Sequence, residues 1–563
     1  MTRVKSVIAG GILATLGVLP ASGQGQFDTI FLNGSILDGT GNPWFRADVG
    51  IRADKIAAVG DLHEARAHRI IDATGLVVVP GFIDIHSHAD DSEYGDDGLR
   101  SADPRRRAAP SLVRQGITTV VVNQDGWMVE SGIAAQRAIY DSLGIGPNVA
   151  MMVGHNVIRR QVMGDDHRRE ATDDEIQHMR ALVRGGMEAG AVGLSTGLEY
   201  VPGRWSTTGE VVALVHEIVP FGGVYIAHQR SEAVAPMWWR PSQHAENPLT
   251  GLDALRETIH IAETTGATVV ATHIKTRGES FRGKSDEAVR LIEEARARGL
   301  SVYADQYPYT TSGSDGSTVL LPMWALTSDT ESDDFRAALK QTLADTSLAT
   351  NVARDVAHLM AFRGGPQNIR VFEFPDSSVI GLSLAELAKR LGLDPLDIPV
   401  WLQINGFADR PGGARLRSFS MSENDLATFA AQPWVATASD GGIAVAEDDS
   451  ASVHIRYYGT FPRKIAEYAM KQNLMTVAEA IRSSTSLPAQ IIGLTDRGLV
   501  RTGMQADIAV LDLDAIGESA TFTDPHGYAT GVRYVMIGGH FAVDDSETTW
   551  SLQGRPVVRS SSE

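Results

Sequence analysis

Gly81-Phe82-Ile83-Asp84-Ile85-His86-Ser87-His88 is an apolar run that ends in two histidines one residue apart. On an extended strand, side chains at i and i+2 point to the same face, so His86 and His88 leave the strand end in one direction. A shared cation is a simple reason to place two imidazoles that way. A pair of solvated loop histidines would share the spacing, so the surrounding text has to decide.

Beyond this segment the pattern alternates strand and helix, which predicts parallel β/α units. Thr172 with Glu175 forms a capping box, and Ile176, Met179, Leu182, Val183 and Met187 follow at helical spacing. A strand at 191–195 comes next. Helices over 210–218, 252–264 and 285–298 then alternate with strands over 224–227, 268–272 and 301–304. Candidate strands centre on Phe82, Thr118, Val149, Val192, Val224, Val269, Val302 and Val435. That is the number a closed (β/α)8 TIM-like barrel requires.

The stretch 308–433 carries its own helices and a strand pattern at 368–374, too long for a loop. It predicts an insertion after the seventh strand, covering the barrel mouth. Both ends of the chain alternate apolar and polar residues around turns, as at 27–79, 506–511 and 532–537 before Gly538-Gly539. The α/β chain is therefore expected to comprise a barrel over 81–485 and a small β-sandwich built from 24–80 and 486–555.

The composition narrows the function classes. The chain has 563 residues, 43% hydrophobic and 21% charged, as in ordinary globular enzymes. A formal net charge of −19 argues against nucleic acid as a partner. An anionic substrate would need local cations in its site. Arg3 and Lys5, the apolar run 7–19 and Ala21-Ser22-Gly23 read as a signal peptide over 1–23. The run is short for a membrane span. A periplasmic or secreted protein without a span in its mature part is expected, and the absence of cysteine excludes disulfides.

Polar residues gather at the strand ends, where barrel enzymes keep their chemistry. His228 closes the fifth strand, His273 the sixth, and Asp440 the eighth, in Ala438-Ser439-Asp440-Gly441-Gly442. Together with His86 and His88 they form a ligand-type set that packing alone does not account for. With Gly154-His155-Asn156-Val157-Ile158-Arg159, Gly193-Leu194-Ser195-Thr196-Gly197-Leu198-Glu199-Tyr200 and Tyr458-Gly459-Thr460-Phe461-Pro462-Arg463, the chain resembles the amidohydrolase superfamily. Within it, these strings resemble the D-aminoacylase (N-acyl-D-amino-acid deacylase) branch, over nearly the whole mature chain.

The resemblance implies a metal-dependent hydrolase of linear amides that uses one or two divalent ions, zinc first. His228 and His273 would hold the tighter position, with His86 and His88 completing it or building a second. The stretch 191–200 lacks the lysine that bridges metals in many superfamily members. The branch has a Cys after the second strand where this chain has Asp125, in Val122-Asn123-Gln124-Asp125-Gly126. A carboxylate also bridges cations, so Asp125 is the expected ligand and Glu199 the competing one. Asp440 would carry the proton from water to the leaving nitrogen, and His155 would help hold the oxyanion or sit behind the site.

Lys275 lies two residues after His273 and faces the same way. By resemblance it binds a free carboxylate of a small-molecule substrate with Tyr200, Tyr307 and Arg456, Tyr309 being the alternative to Tyr307. Trp238-Trp239, after the fifth strand, would line an acyl pocket or form part of a lid. Two other readings stand beside the deacylase: an amidohydrolase of dipeptides, cyclic amides, esters or lactones, and a secreted binding barrel without catalysis.

Overall fold

The computed structural model of the chain describes residues 26–91, 97–245, 247–312, 318–327, 334–450 and 453–559. The segment expected to be a signal peptide, 1–23, lies outside them. All eight expected strands lie in one parallel sheet. They are Phe82–Asp84, Ile117–Val122, Asn148–Gly154, Gly193–Gly197, Val224–His228, Thr268–Ala271, Val302–Gln306 and Val435–Thr437. The sheet curls until its first and last members meet just past their ends. Asp440 N donates to His86 O at 2.9 Å, and His88 N donates to Gly441 O at 2.9 Å. Ser439 N donates to Asp84 Oδ1 at 2.8 Å across the same seam.

The strand residues explain this arrangement. Ile117–Val122 is buried at every position, as a strand covered on both faces must be. Its alternate side chains enter different cores. Val120 and Val122 pack under the helices, whereas Val121 joins Ala150, Met152, Ile226 and Val270 inside the barrel. Gly81, just before the first strand, has no room for a side chain, because a Cβ there would lie 2.3 Å from Thr118 Oγ1.

The helix Asp173–Glu188 starts at the expected capping box and buries Met179, Val183 and Met187. Leu182 does not share that face and is 42% exposed. At about 100° per residue it is turned well away from its neighbour Val183.

The sandwich joins both ends of the chain. One sheet pairs Phe27–Leu32, Asp48–Arg52, Lys55–Gly60 and Ala67–Asp72. In the other, Val77–Pro80 runs antiparallel to Ile508–Leu511, which pairs with Val532–Ile537. Phe31, Val49, Ile51, Ile508, Val510 and Met536 fill the space between the sheets.

The insertion has cores of its own. Leu359, Ile369, Val371, Leu387, Leu402 and Leu416 form one of them, and the strand Ile369–Glu373 pairs with Arg415–Ser418. The tail of the expected range belongs to the barrel instead. Helix Glu423–Ala430 packs on Ser285–Ala297, and its Phe429 enters the core beneath the barrel helices. Among the described residues no helix is long and apolar enough to cross a membrane.

Lys464 opens the wide π-type helix Lys464–Lys471, is 3% exposed, and its side-chain ammonium has no hydrogen bond or ion pair among the described residues. Burial pushes its ammonium down to about 7. Its unfolded value is roughly 10.4, so between these limits the unfolded chain binds the extra proton and stability rises with pH. Lys464→Met is expected to raise the thermal midpoint, with the largest gain at and below pH 7 and little by pH 10. Melting curves of both proteins across that range check it.

Candidate metal centre and cavity

The strand ends bring His86, His88, Asp125, His228, His273 and Asp440 together. Asp125 Oδ1 lies 3.6 Å from His86 Nε2, 3.7 Å from His228 Nδ1 and 3.6 Å from His273 Nε2. Asp440 Oδ1 lies 3.5 Å from His86 Nε2 and 3.0 Å from His88 Nε2. Asp125, His273 and Asp440 all take left-handed backbone, with φ of 55°, 36° and 49°. Residues other than glycine rarely sit there, so the turns after three strands are strained in order to aim these side chains.

Each histidine is tethered at the ring nitrogen facing away from the cluster. His86 Nδ1 meets Thr272 Oγ1 at 2.5 Å, and that hydroxyl gives its own proton to Asp305 Oδ2 at 2.6 Å. Thr272 therefore accepts from His86, which leaves Nε2 of His86 with its lone pair toward the cluster. His88 Nδ1 is held by Asp91. His228 Nε2 lies 3.2 Å from Glu199 Oε2, and His273 Nδ1 lies 2.9 Å from Glu232 Oε1. Four inward nitrogens with oxygen partners behind them form the donor set of a transition-metal site.

The electrostatics favour a cation. Burial alone would raise the Asp125 carboxyl, but His86 and His228 draw it below the ordinary range, so it is ionised. Burial opposes charge on His88, yet Asp91 and Asp440 hold it well above the usual histidine value. His273 rises to about 9 against burial and Lys275, because Glu232 and Asp125 face it. The field that favours protons on His88 and His273 equally favours a metal ion between them, while burial holds His86 well below the usual histidine value. Among the described residues Asp125 Oδ1 has no hydrogen-bond donor, although it is buried. An ionised oxygen left in that state is costly without a cation beside it. The residues therefore fit one or two divalent ions, with Asp125 at the junction. Glu199, the competing carboxylate, stands behind His228 instead.

A cavity of about 730 Å³ opens over this cluster. Lys275, Tyr200 and Arg456 line it, as expected. Tyr307 does not itself line the cavity but lies between the two cations, its ring 5.5 Å from Lys275 Nζ and 5.1 Å from the Arg456 guanidinium. Tyr309 turns away to donate to Glu518 Oε2 at 2.9 Å. Both cations also have acidic partners within the site. Lys275 Nζ donates to Glu232 Oε1 at 2.5 Å, and Arg456 Nη1 donates to Asp440 Oδ2 at 2.7 Å.

Two expectations need correction. His155 does not line the cavity. It opens helix His155–Met163, and its Nε2 lies 2.8 Å from Glu210 Oε1, to which Arg159 Nε also donates at 3.1 Å. The turn into that helix carries the ring away from the chemistry and into a buried ion cluster, so an oxyanion role has no geometric support. Trp238 and Trp239 do not line this cavity either: Trp239 packs edge-on against His358 of the insertion, and Trp238 lies near Arg204. Trp239 thus packs on the insertion, in keeping with the lid half of that expectation, whereas Trp238 packs against Arg204 and His244 outside it.

The sequence reading missed Glu232, Arg277 and Arg363, all of which line the cavity. The i+2 spacing that marked Lys275 applies again at Arg277. A carboxylate four residues beyond His228 was a weaker signal for Glu232. Arg363 comes from the insertion, and no local pattern tied it to the strand ends.

Residues 69–213 and 376–543 match a family model described as amidohydrolase family. The chain is 32% identical over 555 residues to the D-aminoacylase of Alcaligenes xylosoxydans xylosoxydans, covering 95% of this chain and 98% of that protein. A solved D-aminoacylase described by its binuclear metal centre is similar with a TM-score of 0.71 at 30% identity, covering 95% of this chain and 100% of the other. The N-acyl-D-glutamate deacylase of Bordetella bronchiseptica, solved with zinc and a phosphonate inhibitor, gives a TM-score of 0.71 at 28% identity and the same coverage.

The tethers behind the histidines yield a measurable expectation. Glu199→Gln weakens the orientation of His228 and should lower divalent-metal affinity by about 10–100-fold in chelator competition. Asp125→Ala should lower the bound metal per chain more than Glu199→Gln does, as read by elemental analysis.

Proposed function

The chain belongs to the amidohydrolase family, and from that premise we propose that it cleaves N-acyl-D-amino acids into a carboxylate and a free D-amino acid. It is a metal-dependent hydrolase of linear amide bonds. One observation carries the reading: ionised Asp125 at the meeting point of His86, His228 and His273, with Asp440 and a cationic cavity wall beside it.

His86, His88, Asp125, His228 and His273 would hold one or two divalent ions, zinc first. Bound there, a metal supplies Lewis-acid polarisation of the amide carbonyl and acidifies water. Asp440 takes the proton released when water attacks and returns it to the departing nitrogen. Its Oδ2 is fixed by Arg456 while Oδ1 faces the cluster, so one carboxylate is both oriented and presented to the reacting atoms. Lys275, with Tyr200, Tyr307 and Arg456, receives the substrate's α-carboxylate and sets the amide over the cluster. This favours a free carboxylate over a cyclic amide. The export reading of residues 1–23 is part of the proposal; N-terminal sequencing of the protein recovered from the producing cells tests it, with a start near Gln24 expected and an intact Met1 contradicting it.

Matched N-acyl-D- and N-acyl-L-amino acids, given to the zinc-loaded protein, test the activity. Amine release is expected from the D series, and Asp440→Asn should lower kcat by about 10²–10⁴-fold. Equal turnover of both series would contradict the stereochemical assignment. Full activity of the Asn variant would remove Asp440 from proton transfer.

A further inference from the structure

One wall of the cavity is more cationic than a single substrate carboxylate requires. Arg277 is 4% exposed and lines the cavity with Arg363. Both guanidiniums lie against the Phe362 ring, at 4.5 and 5.7 Å. Among the described residues Arg277 Nε and Nη2 and Arg363 Nε are buried with no hydrogen-bond partner.

The nearby acids do not satisfy them. Glu199 Oε2 and Glu232 Oε2 form ion pairs with Arg277 at 3.7 and 3.6 Å but stand beyond hydrogen-bond reach. Glu199 already receives Met237 N at 2.5 Å and lies against His228, and Glu232 serves His273 and Lys275. Arg240, the next cation, is turned to the Met237 and Trp239 carbonyls at 2.7 Å each. Lys275, Arg277 and Arg363 therefore face two engaged carboxylates. Burial, with Arg277 as the next cause, pushes the Arg363 guanidinium down to about 10. A buried arginine pair short of hydrogen-bond partners is destabilising until an acceptor joins it, and a carboxylate matches the fork of a guanidinium.

We propose that Arg277 and Arg363 form a second anion subsite, so that the preferred substrate carries a carboxylate in addition to the α-carboxylate held at Lys275, Tyr307 and Arg456. The inference rests on the deacylase reading and narrows it to dianionic N-acyl-D-amino acids. The additional carboxylate belongs either to the amino-acid side chain or to the acyl group. Arg277 extends from the loop after the sixth strand and Arg363 from the insertion. The subsite thus joins the barrel rim to the insertion.

Two substrate pairs distinguish the sources with the zinc-loaded full chain: N-acetyl-D-glutamate against N-acetyl-D-glutamine, and N-succinyl-D-alanine against N-butyryl-D-alanine. In one pair the dianion should be preferred by about 100-fold in kcat/KM, as expected for charge-assisted hydrogen bonds. Arg363→Gln and Arg277→Gln should each bring that ratio toward one. Absence of preference in both pairs, with the monoanionic members turned over, overturns the proposal. If neither variant folds, calorimetry on the unaltered protein decides it: glutarate should bind at least about tenfold tighter than butyrate, and equal binding overturns the subsite. If no N-acyl-D-amino acid is hydrolysed, the deacylase reading fails, and the same titration still decides the subsite.

Discussion

The carboxylate of Asp125 is the point on which the site turns. Its Oδ1 faces imidazoles from the first, fifth and sixth strands and has no hydrogen-bond donor among the described residues. Burying a carboxylate costs several kcal/mol unless charge compensates it. Here compensation requires side chains separated by almost two hundred positions in sequence to converge within a few ångströms. In this chain the closure of the barrel does that. The seam hydrogen bonds among Asp84, His86, His88, Ser439, Asp440 and Gly441 are therefore as much a part of the site as its ligands.

Around that point the charges are nearly all committed. Asp91, Glu199 and Glu232 hold ring nitrogens, and Asp305 reaches His86 through the Thr272 hydroxyl. Arg456 and Lys275 are held by Asp440 and Glu232. Commitment at this level fixes rotamers and keeps the donor atoms in place without help from substrate. It also shows how a chain of net charge −19 keeps a cationic cavity wall. Glu199 and Glu232 are engaged with His228 and His273, and Arg277, Arg363 and Arg456 line the space above them.

Much of this architecture was legible in the sequence because it rests on short periodicities. Alternation of two marked the strands and the shared face of His86 and His88, and strand-end position marked His228, His273 and Asp440. Asp125 came from comparing a residue with the thiolate position of a familiar pattern, and its backbone φ of 55° explains why spacing alone would not have oriented it. His155 sat in an equally suggestive string, but the helix it opens directs its ring to Glu210. Arg363 was invisible because its approach depends on how the insertion folds over the rim. The end of that insertion was misjudged for a related reason: the helix Glu423–Ala430 looks the same whether it covers the mouth or wraps the barrel, and only its partner Ser285–Ala297 distinguishes them.

The sheet shared by both ends of the chain has a consequence for biosynthesis. Val77–Pro80 finds its antiparallel neighbour only in Ile508–Leu511, roughly 430 residues later. At about 5–20 residues per second, the ribosome takes on the order of half a minute to more than a minute to supply it. Throughout that time the nascent polypeptide carries an apolar strand with an open edge, a template for wrong pairing. The first strand of the barrel follows directly after it and waits for the eighth in the same way. Productive folding is thus postponed until synthesis is almost finished, which places the burden of keeping the chain soluble on the factors that accompany it off the ribosome.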